Sequence, residues 1–201
     1  MIFKLRRRRP SESTIEALYG AIVAQARSPS FYLQYGVPDT VEGRFDMIAL
    51  HVFLVIRRTA RSAGEIAALG QALFDRFCRD LDHNLREMGV SDLAVPRKMR
   101  GFAEAYFGRA EIYAQALASG DRAAAAAALG RNVFSVSGPP GPGPCRLGNY
   151  MFEAVRRLDD APDSAVAQGR LDFADPDAIP VNGTAGDHVA NFNGSTLSSH
   201  C

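Results

Sequence analysis

The chain has 201 residues, 47% of them hydrophobic, with 23 Lys and Arg against 22 Asp and Glu. This length suits one domain of ordinary size, and the hydrophobic fraction excludes global disorder. The balance hides an asymmetry, because residues 1–158 carry 22 Lys and Arg against 15 Asp and Glu, whereas residues 159–201 carry one Arg against seven Asp. The most apolar run, residues 47–56, is too short for a membrane span, which needs about 20 residues, so we predict a soluble protein.

The chain begins MIFKLRRRRPSEST, in which Arg6, Arg7, Arg8 and Arg9 follow one another without an apolar run behind them. This pattern is not that of a secretory signal peptide, and we predict a basic arm over residues 1–11. Four arginines can bind phosphates, lipid headgroups or RNA, but no aromatic residue lies between them for base stacking. A solubilising arm is an equally good interpretation.

Three helices with a connector are predicted in the first half of the chain. Residues 12–27 have apolar residues at the helical period of 3.6, and Ser28-Pro29 ends that helix. The stretch 31–40, FYLQYGVPDT, is predicted to be a connector whose last residues cap the next helix. Residues 41–62 are apolar on nearly every face, which predicts a helix packed on several sides. A third helix is predicted from Gly64 to Met88, with Gly89 just after its end.

The second half continues with helices and then changes character. Pro96 suits the first turn of a helix that stops at Gly120, and Asp121 can cap a further helix through the alanine run. The stretch 138–144, GPPGPGP, is predicted to be a stiff linker that is neither helix nor strand. One last amphipathic helix follows it. We therefore predict an all-α fold: a single compact domain of about five to seven helices over residues 12–158, with a flexible C-terminal tail over 159–201 that is acidic and disordered or loosely docked.

The stretch 73–88, LFDRFCRDLDHNLREM, carries the densest group of acid, histidine and thiol side chains. On a helical wheel Leu73 to Met88 provide a core face, and a second stripe consists of Arg76, Asp80, His83 and Glu87. Its spacing suits ion pairs of Arg76 with Asp80 and of His83 with Glu87. The same spacing allows Asp80, His83 and Glu87 to share a metal ion, so a metal-dependent helical-bundle enzyme is an alternative. A di-iron bundle would also need a Glu-x-x-His motif, which does not occur, and we favour a solvated or partner-facing stripe.

No sequence motif of a catalytic nucleophile or a phosphate-binding loop is present. GxSxG, HExxH, GxxxxGK[ST] and GxGxxG are all missing. His51 is the one histidine of the apolar helix, where a hydrogen-bonded core role is commoner than a ligand role. The sequence motifs therefore indicate no catalytic nucleophile.

The helix after Pro96 has a core face that includes Tyr106 and Phe107. The opposite side has Gly101, Ala105 and Gly108. Glycine inside a helix costs about 1 kcal/mol relative to alanine, so this stripe predicts the close approach of another backbone. We favour packing within the domain over a groove for a partner.

Two long stretches resemble the ubiquinol–cytochrome c chaperone family over roughly residues 12–135. They are FYLQYGVPDTVEGRFDMIALHVFLVIRR and LFDRFCRDLDHNLREMGVSDLAVPRKMRGFAEAYFGRAEIY. The pieces GVPDT, GRFDMIALHVFLV, LREMGVSDLAVP and YFGR occur in the family's order and spacing. Thr59 departs from the aliphatic residue expected after the paired arginines.

The resemblance implies an all-helical, non-enzymatic assembly factor without a cofactor. Mitochondrial members help cytochrome b to mature during assembly of the bc1 complex, with a small partner protein and near the membrane and the translating ribosome. It implies that this chain binds cytochrome b or a small assembly partner, and that Arg6 to Arg9 contact the ribosome or a membrane surface, with no role for DNA. The expected location is the bacterial cytoplasm, peripheral at the inner membrane, or the matrix side in a eukaryote. The candidate partner-binding residues are Asp39, Arg44, His51, Asp80, His83, Arg97, Lys98, Arg100, Tyr106 and Arg109.

Overall fold

The computed structural model describes residues 10–180, and within this range the chain forms eight α-helices and no strand. In chain order they are α1 Glu12–Ala26, α2 Pro29–Leu33, α3 Val41–Ala60, α4 Gly64–Glu87, α5 Val95–Ser119, α6 Arg122–Asn132, α7 Pro142–Asp160 and α8 Asp163–Ala167, followed by a 3-10 turn at Pro176–Ala178. Six of the helices have 11 residues or more, which confirms the predicted all-α domain of five to seven helices. The basic arm with Arg6 to Arg9 lies outside the described residues, as does 181–201.

The helix ends lie where side chains and glycines satisfy the terminal backbone groups. The Thr40 hydroxyl accepts a hydrogen bond from the Gly43 amide at 3.1 Å, and the Asp121 carboxylate accepts one from the Ala124 amide at 2.8 Å. Gly89 and Gly120 have φ angles of 80° and 70°, a left-handed conformation that glycine adopts without strain. These are the signals on which the predicted boundaries rest.

Helix α3 lies at the centre of the domain and packs against α1, α4 and α7. Val52, Leu54 and Val55 on it are fully buried, which confirms a helix covered on several sides. Helices α3, α4 and α5 run antiparallel to their sequence neighbours, since only residues 61–63 and 88–94 connect them. The start of α3, the end of α4 and the start of α5 therefore lie at the same end of the domain.

The glycine- and proline-rich stretch 138–144 is not wholly a linker. Helix α7 begins at Pro142, so the interpretation of this stretch as neither helix nor strand is wrong for its last three residues. Proline is tolerated in the first turn of a helix because the amide hydrogen it lacks has no partner there. The predicted connector 31–40 likewise begins inside the short helix α2.

The folded domain continues beyond residue 158, where the tail was predicted to begin. Asp159 and Asp160 belong to α7, and the stretch after it packs on the domain through the buried side chains of Val166, Ala174 and Ile179. The predicted boundary is wrong because isolated apolar residues without a period can still fill separate core positions. A flexible tail remains a prediction for residues 181–201 only.

Candidate functional site

An open groove of about 480 Å³ lies between α1, the start of α3 and the second half of α4. Its floor is apolar, with Phe45, Ile48 and Phe77. Its rim carries charged and amide side chains together with exposed apolar ones: Arg27, Val41, Glu42, Arg44, Asp80, Asn84, Glu87 and Met88. An apolar floor inside a polar rim is typical of a site that binds an apolar segment of another molecule.

The groove exists because the end of α4 leaves the core. Leu73 and Phe77 are buried, Leu81 and Leu85 are half-buried, and Met88 is 59% exposed. The predicted core face is therefore wrong at Met88. Val41, at the start of α3 on the opposite side of the groove, is 67% exposed.

The charged stripe of α4 divides into two pairs with different surroundings. Asp80 accepts hydrogen bonds from the Tyr19 hydroxyl at 2.9 Å and the Asn84 amide at 3.3 Å, and Arg76 lies 3.5 Å from it. The Arg76 guanidinium also stacks on the Tyr19 ring, 4.4 Å from its centre. Burial, and then the bond to Asp80, raises the pKa of Tyr19. Asp80 is thus a structural residue between α1 and α4.

The second pair is exposed, and no metal site accompanies the stripe. His83 and Glu87 lie 3.9 Å apart, each with 70% of its side chain exposed. Both predicted ion pairs are therefore present. Within residues 10–180, no cluster of three or more His, Cys, Asp or Glu side chains could hold a metal ion. The metal-site alternative of Asp80, His83 and Glu87 is not supported, since they form no such cluster and Asp80 is bound by Tyr19, Asn84 and Arg76.

The GVPDT segment sits beside the groove and fixes the start of α3. Asp39 and Arg44 form an ion pair of 2.6 Å, with 56% of each side chain exposed. The hydrogen bond from Arg44 lowers the pKa of Asp39. A Cβ atom on Gly43 would lie 2.1 Å from the carbonyl oxygen of Pro38, so only glycine fits there. Of these two candidate residues, Arg44 lines the groove, and Asp39 is bound to it from outside.

A second, smaller cavity of about 200 Å³ lies between α3 and α5. Arg109 of α5 forms an ion pair with Asp46 of α3 at its edge. Burial raises the pKa of Asp46 even though Arg109 opposes the shift. Tyr106 lines the same cavity but is only 6% exposed and contacts the rings of Phe77 and Phe102. Tyr106 is therefore a core residue in this structure, and its candidacy as a partner-binding residue is not supported.

His51 is fully buried, which confirms its predicted structural role. Its Nδ1–H group donates to the Met47 carbonyl oxygen at 2.8 Å, and its Nε2 atom accepts from the Tyr150 hydroxyl at the same distance. Burial lowers the pKa of His51 to about 4, so the ring is neutral at physiological pH. A fully buried residue cannot touch a partner at the surface, so the prediction that His51 binds a partner is wrong.

The outer face of α5 is exposed along its length. Arg97, Lys98 and Arg100 are exposed there. A Cβ atom on Gly101 or Gly108 would meet no described atom within 4 Å. The predicted close approach of a backbone from within the domain is therefore wrong for residues 10–180, whereas a partner at this stripe remains a prediction.

Sequence reasoning missed the groove itself, together with Val41 and Met88 on its rim. Helical periodicity assigns a residue to a face but does not say where a neighbouring helix ends. The available signal was the position of both residues at helix ends that meet at the same end of an antiparallel pair.

Comparison with known proteins identifies one family by both sequence and structure. A family model described as ubiquinol-cytochrome C chaperone matches residues 33–173, which begins later and ends later than the stretch that carried the resemblance. The crystal structure of the Cbp3 homolog from Brucella abortus is similar, with a TM-score of 0.77 and 38% sequence identity over 84% of this chain and 93% of that chain. No curated protein matches significantly. The chain belongs to the ubiquinol–cytochrome c chaperone family.

Proposed function

We propose that this protein is a non-enzymatic chaperone for assembly of the bc1 complex, ubiquinol–cytochrome c reductase, and that it binds cytochrome b or a small assembly partner in the groove between α3 and α4. Membership of the family supports the assembly role. The observation that carries the binding mode is the open apolar groove with exposed apolar side chains on its rim.

The groove suits a helical or extended apolar segment. Val41 and Met88 flank it at 67% and 59% exposure, so both side chains are available to contact a ligand. Arg44 and Glu87 on the rim offer charges of both signs, which can orient a segment with polar flanks. A client that is a membrane protein exposes such apolar segments before it is fully assembled.

The acid in the groove supports a binding role over catalysis. Asp80 is held by Tyr19 and Arg76 and braces α1 against α4. A general acid or base must be free to exchange a proton with a substrate. The fixed bonds of Asp80 instead define the shape of the groove wall.

The test is deletion of the gene and complementation with groove variants. We expect the deletion to lower the content of assembled reductase and of haem-loaded cytochrome b, measured by native electrophoresis and difference spectra. Val41→Asp and Met88→Asp should fail to restore both, because a carboxylate on the rim opposes apolar contact. Val136→Asp, at an apolar residue 43% exposed outside the groove, is the matched control and should complement fully. Normal reductase in the deletion strain would contradict the assembly role.

Photocrosslinking distinguishes the two candidate ligands. A photoreactive residue at position 88 should capture cytochrome b or a small protein, identified by mass spectrometry, whereas the same residue at position 136 should not. Capture of the same proteins from both positions would contradict the groove as the binding site.

A further inference from the structure

A cluster of unpaired cations lies at the start of α5. The side chains of Arg97, Lys98 and Arg100 are all exposed, and none of these side chains forms an ion pair or hydrogen bond with a residue in the described range. Asp92 of the adjacent turn and Asp82 of α4 are engaged elsewhere, because both bind Arg86. The positive charge of the cluster is therefore left uncompensated.

An exposed apolar side chain stands beside these cations. Leu93, in the turn between α4 and α5, is 95% exposed, more than any other large hydrophobic residue in the described range. Met88, on the other side of the same turn, is 59% exposed. Leu93 gains almost no hydrophobic free energy from the domain, and Met88 gains only part of what full burial would give, so folding alone does not account for apolar side chains at these positions.

The backbone places Leu93 in the turn directly before the cations of α5. The Val95 and Lys98 amides donate to the carbonyl oxygens of Ser91 and Ala94, at 3.1 Å each, so the turn leads directly into the hydrogen-bond ladder of α5. Residues at i, i+4 and i+7 share one face of a helix. Arg97 and Arg100, three positions apart, therefore lie on one face of α5, and Leu93 lies in the turn that leads directly into this helix.

This end of the domain combines protruding apolar side chains with a basic surface. Glu104 is the first acid further along this face of α5, about one turn after Arg100. The positive end of the α5 dipole also lies here, so the cations are unfavourable to the helix itself. An anionic partner would neutralise the cations, and if it also accepts apolar groups it would remove Leu93 and Met88 from water.

We infer that the turn between α4 and α5 docks on an anionic lipid bilayer, with Leu93 and Met88 in the interfacial region and Arg97, Lys98 and Arg100 at the lipid phosphates. RNA would neutralise the cations but would leave Leu93 without an apolar contact, and no exposed aromatic ring lies among the three cations for stacking. Leu93 is 95% exposed and so protrudes from the domain. A protruding apolar side chain can enter the interfacial region of a bilayer, which deforms around it. No helix among residues 10–180 is long and apolar enough to cross a membrane, so this contact is peripheral. The inference goes beyond the proposed chaperone function and does not depend on it.

Cosedimentation of the full chain with vesicles tests the charge contribution. Wild type should bind vesicles of phosphatidylglycerol and phosphatidylcholine and should bind weakly to phosphatidylcholine alone. Each cation near an anionic surface contributes roughly fivefold in affinity, so the double variant R97E/R100E should lower the partition coefficient by at least about 25-fold. R131E/R170E, which changes two exposed arginines elsewhere by the same charge, should retain most of the binding. Equal loss in both variants would overturn the proposal, because it would reveal only a net-charge effect.

Tryptophan fluorescence tests whether the turn enters the interface. The chain has no tryptophan, so Leu93→Trp introduces a single reporter. Its emission should shift to shorter wavelength with anionic vesicles and should be quenched by brominated lipid. Ile112→Trp is the control, since that residue is 42% exposed on α5 and lies 17 positions after Val95, where the helix begins, which is about 25 Å along its axis.

Two further outcomes would overturn the inference. Vesicle binding without any shift from Leu93→Trp would assign the contact to another part of the chain, such as Arg6 to Arg9. Loss of binding to single-stranded RNA in R97E/R100E, with vesicle binding unchanged, would assign the surface to nucleic acid. Circular dichroism of each variant confirms that the fold is intact, which is expected because all the substituted residues are exposed.

Discussion

The Nε2 atom of His51 accepts a hydrogen bond from the Tyr150 hydroxyl at 2.8 Å, which links α3 to α7 in the centre of the domain. Tyr150 in turn accepts a hydrogen bond from Gln25 at 3.1 Å. The network requires a neutral imidazole, because a protonated ring has no lone pair with which to accept. The stability of the fold is therefore sensitive to the protonation of a residue that no solvent reaches.

We expect this histidine to produce an acid-dependent loss of stability. Burial lowers its pKa from 6.5 to about 4, so the unfolded chain binds a proton before the folded one does. The contribution is fully present above pH 6.5 and is lost as the pH falls towards 4, by roughly 3 kcal/mol in total. Urea titrations across this range should show a steeper decline in the free energy of unfolding for wild type than for His51→Gln, which does not titrate. Parallel curves would contradict the assignment.

Arg58 should be a strong determinant of stability. Its guanidinium is buried and donates to the carbonyl oxygens of Leu158 and Ala161, at 2.7 Å each, and to Asp163 at 2.6 Å. We expect Arg58→Met to reduce the free energy of unfolding by about 2–4 kcal/mol, because it leaves buried acceptors without donors. Arg61→Met, at a side chain 60% exposed in a pair with Asp159, should cost less than about 1 kcal/mol by the same denaturant titration. A similar loss of unfolding free energy in the two variants would show that the buried hydrogen bonds of Arg58 do not stabilise the domain.

Arg146 should hold the last described segment in place. Its guanidinium donates to the Ile179 carbonyl oxygen at 2.9 Å and lies 4.3 Å from the centre of the Tyr35 ring. Arg146→Met should cost about 2–4 kcal/mol and should make residues 174–180 susceptible to limited proteolysis. Arg156→Met, on the exposed side of α7, is the matched control and should leave the digestion pattern unchanged. Protection of the segment in Arg146→Met would mean that its apolar contacts alone suffice.

The exposed glycines of α5 offer a test that separates stability from partner contact. Gly101→Ala and Gly108→Ala should each stabilise the domain by up to about 1 kcal/mol, since no described atom lies within 4 Å of the added Cβ. Gly43→Ala should destabilise it strongly, because its Cβ would lie 2.1 Å from the Pro38 carbonyl oxygen. Thermal unfolding measures both effects. If the α5 variants are more stable yet lower the cellular reductase content, a partner approaches this stripe closely; if the content is unchanged, none does.

Sequence patterns predicted the helices well because local signals determine them. Thr40, Asp121 and Gly120 mark helix ends through contacts within a few residues. Apolar residues on nearly every face of α3 correspond to its burial on several sides. The role of His51 was also predictable, since a lone histidine in an apolar helix needs hydrogen-bond partners.

Features that depend on contacts distant in sequence were not predictable. The segment after α7 packs through Ala174 and Ile179, which have no periodic neighbours, and through backbone carbonyls that bind Arg146. The groove forms where the end of α4 extends beyond the helices that cover its core face. Met88 is therefore on the rim, although its helical position is on the same face as the buried Leu73 and Phe77. Tyr106 lies on the predicted core face of α5, where the Phe74 and Phe77 rings of α4 contact it, so its second assignment as a partner-binding residue is not supported.

The bonds between the two ends of the described chain have a consequence for the order of folding during synthesis. The Tyr35 hydroxyl donates to the Pro176 carbonyl oxygen at 2.7 Å, and Ser30 and Gln34 both donate to Asp177, across more than 140 positions. On the ribosome, α2 must wait for almost the whole domain to emerge before these partners exist. Helices α3 to α7 can assemble earlier, whereas closure around α2 is a late event that only a nearly complete chain can reach.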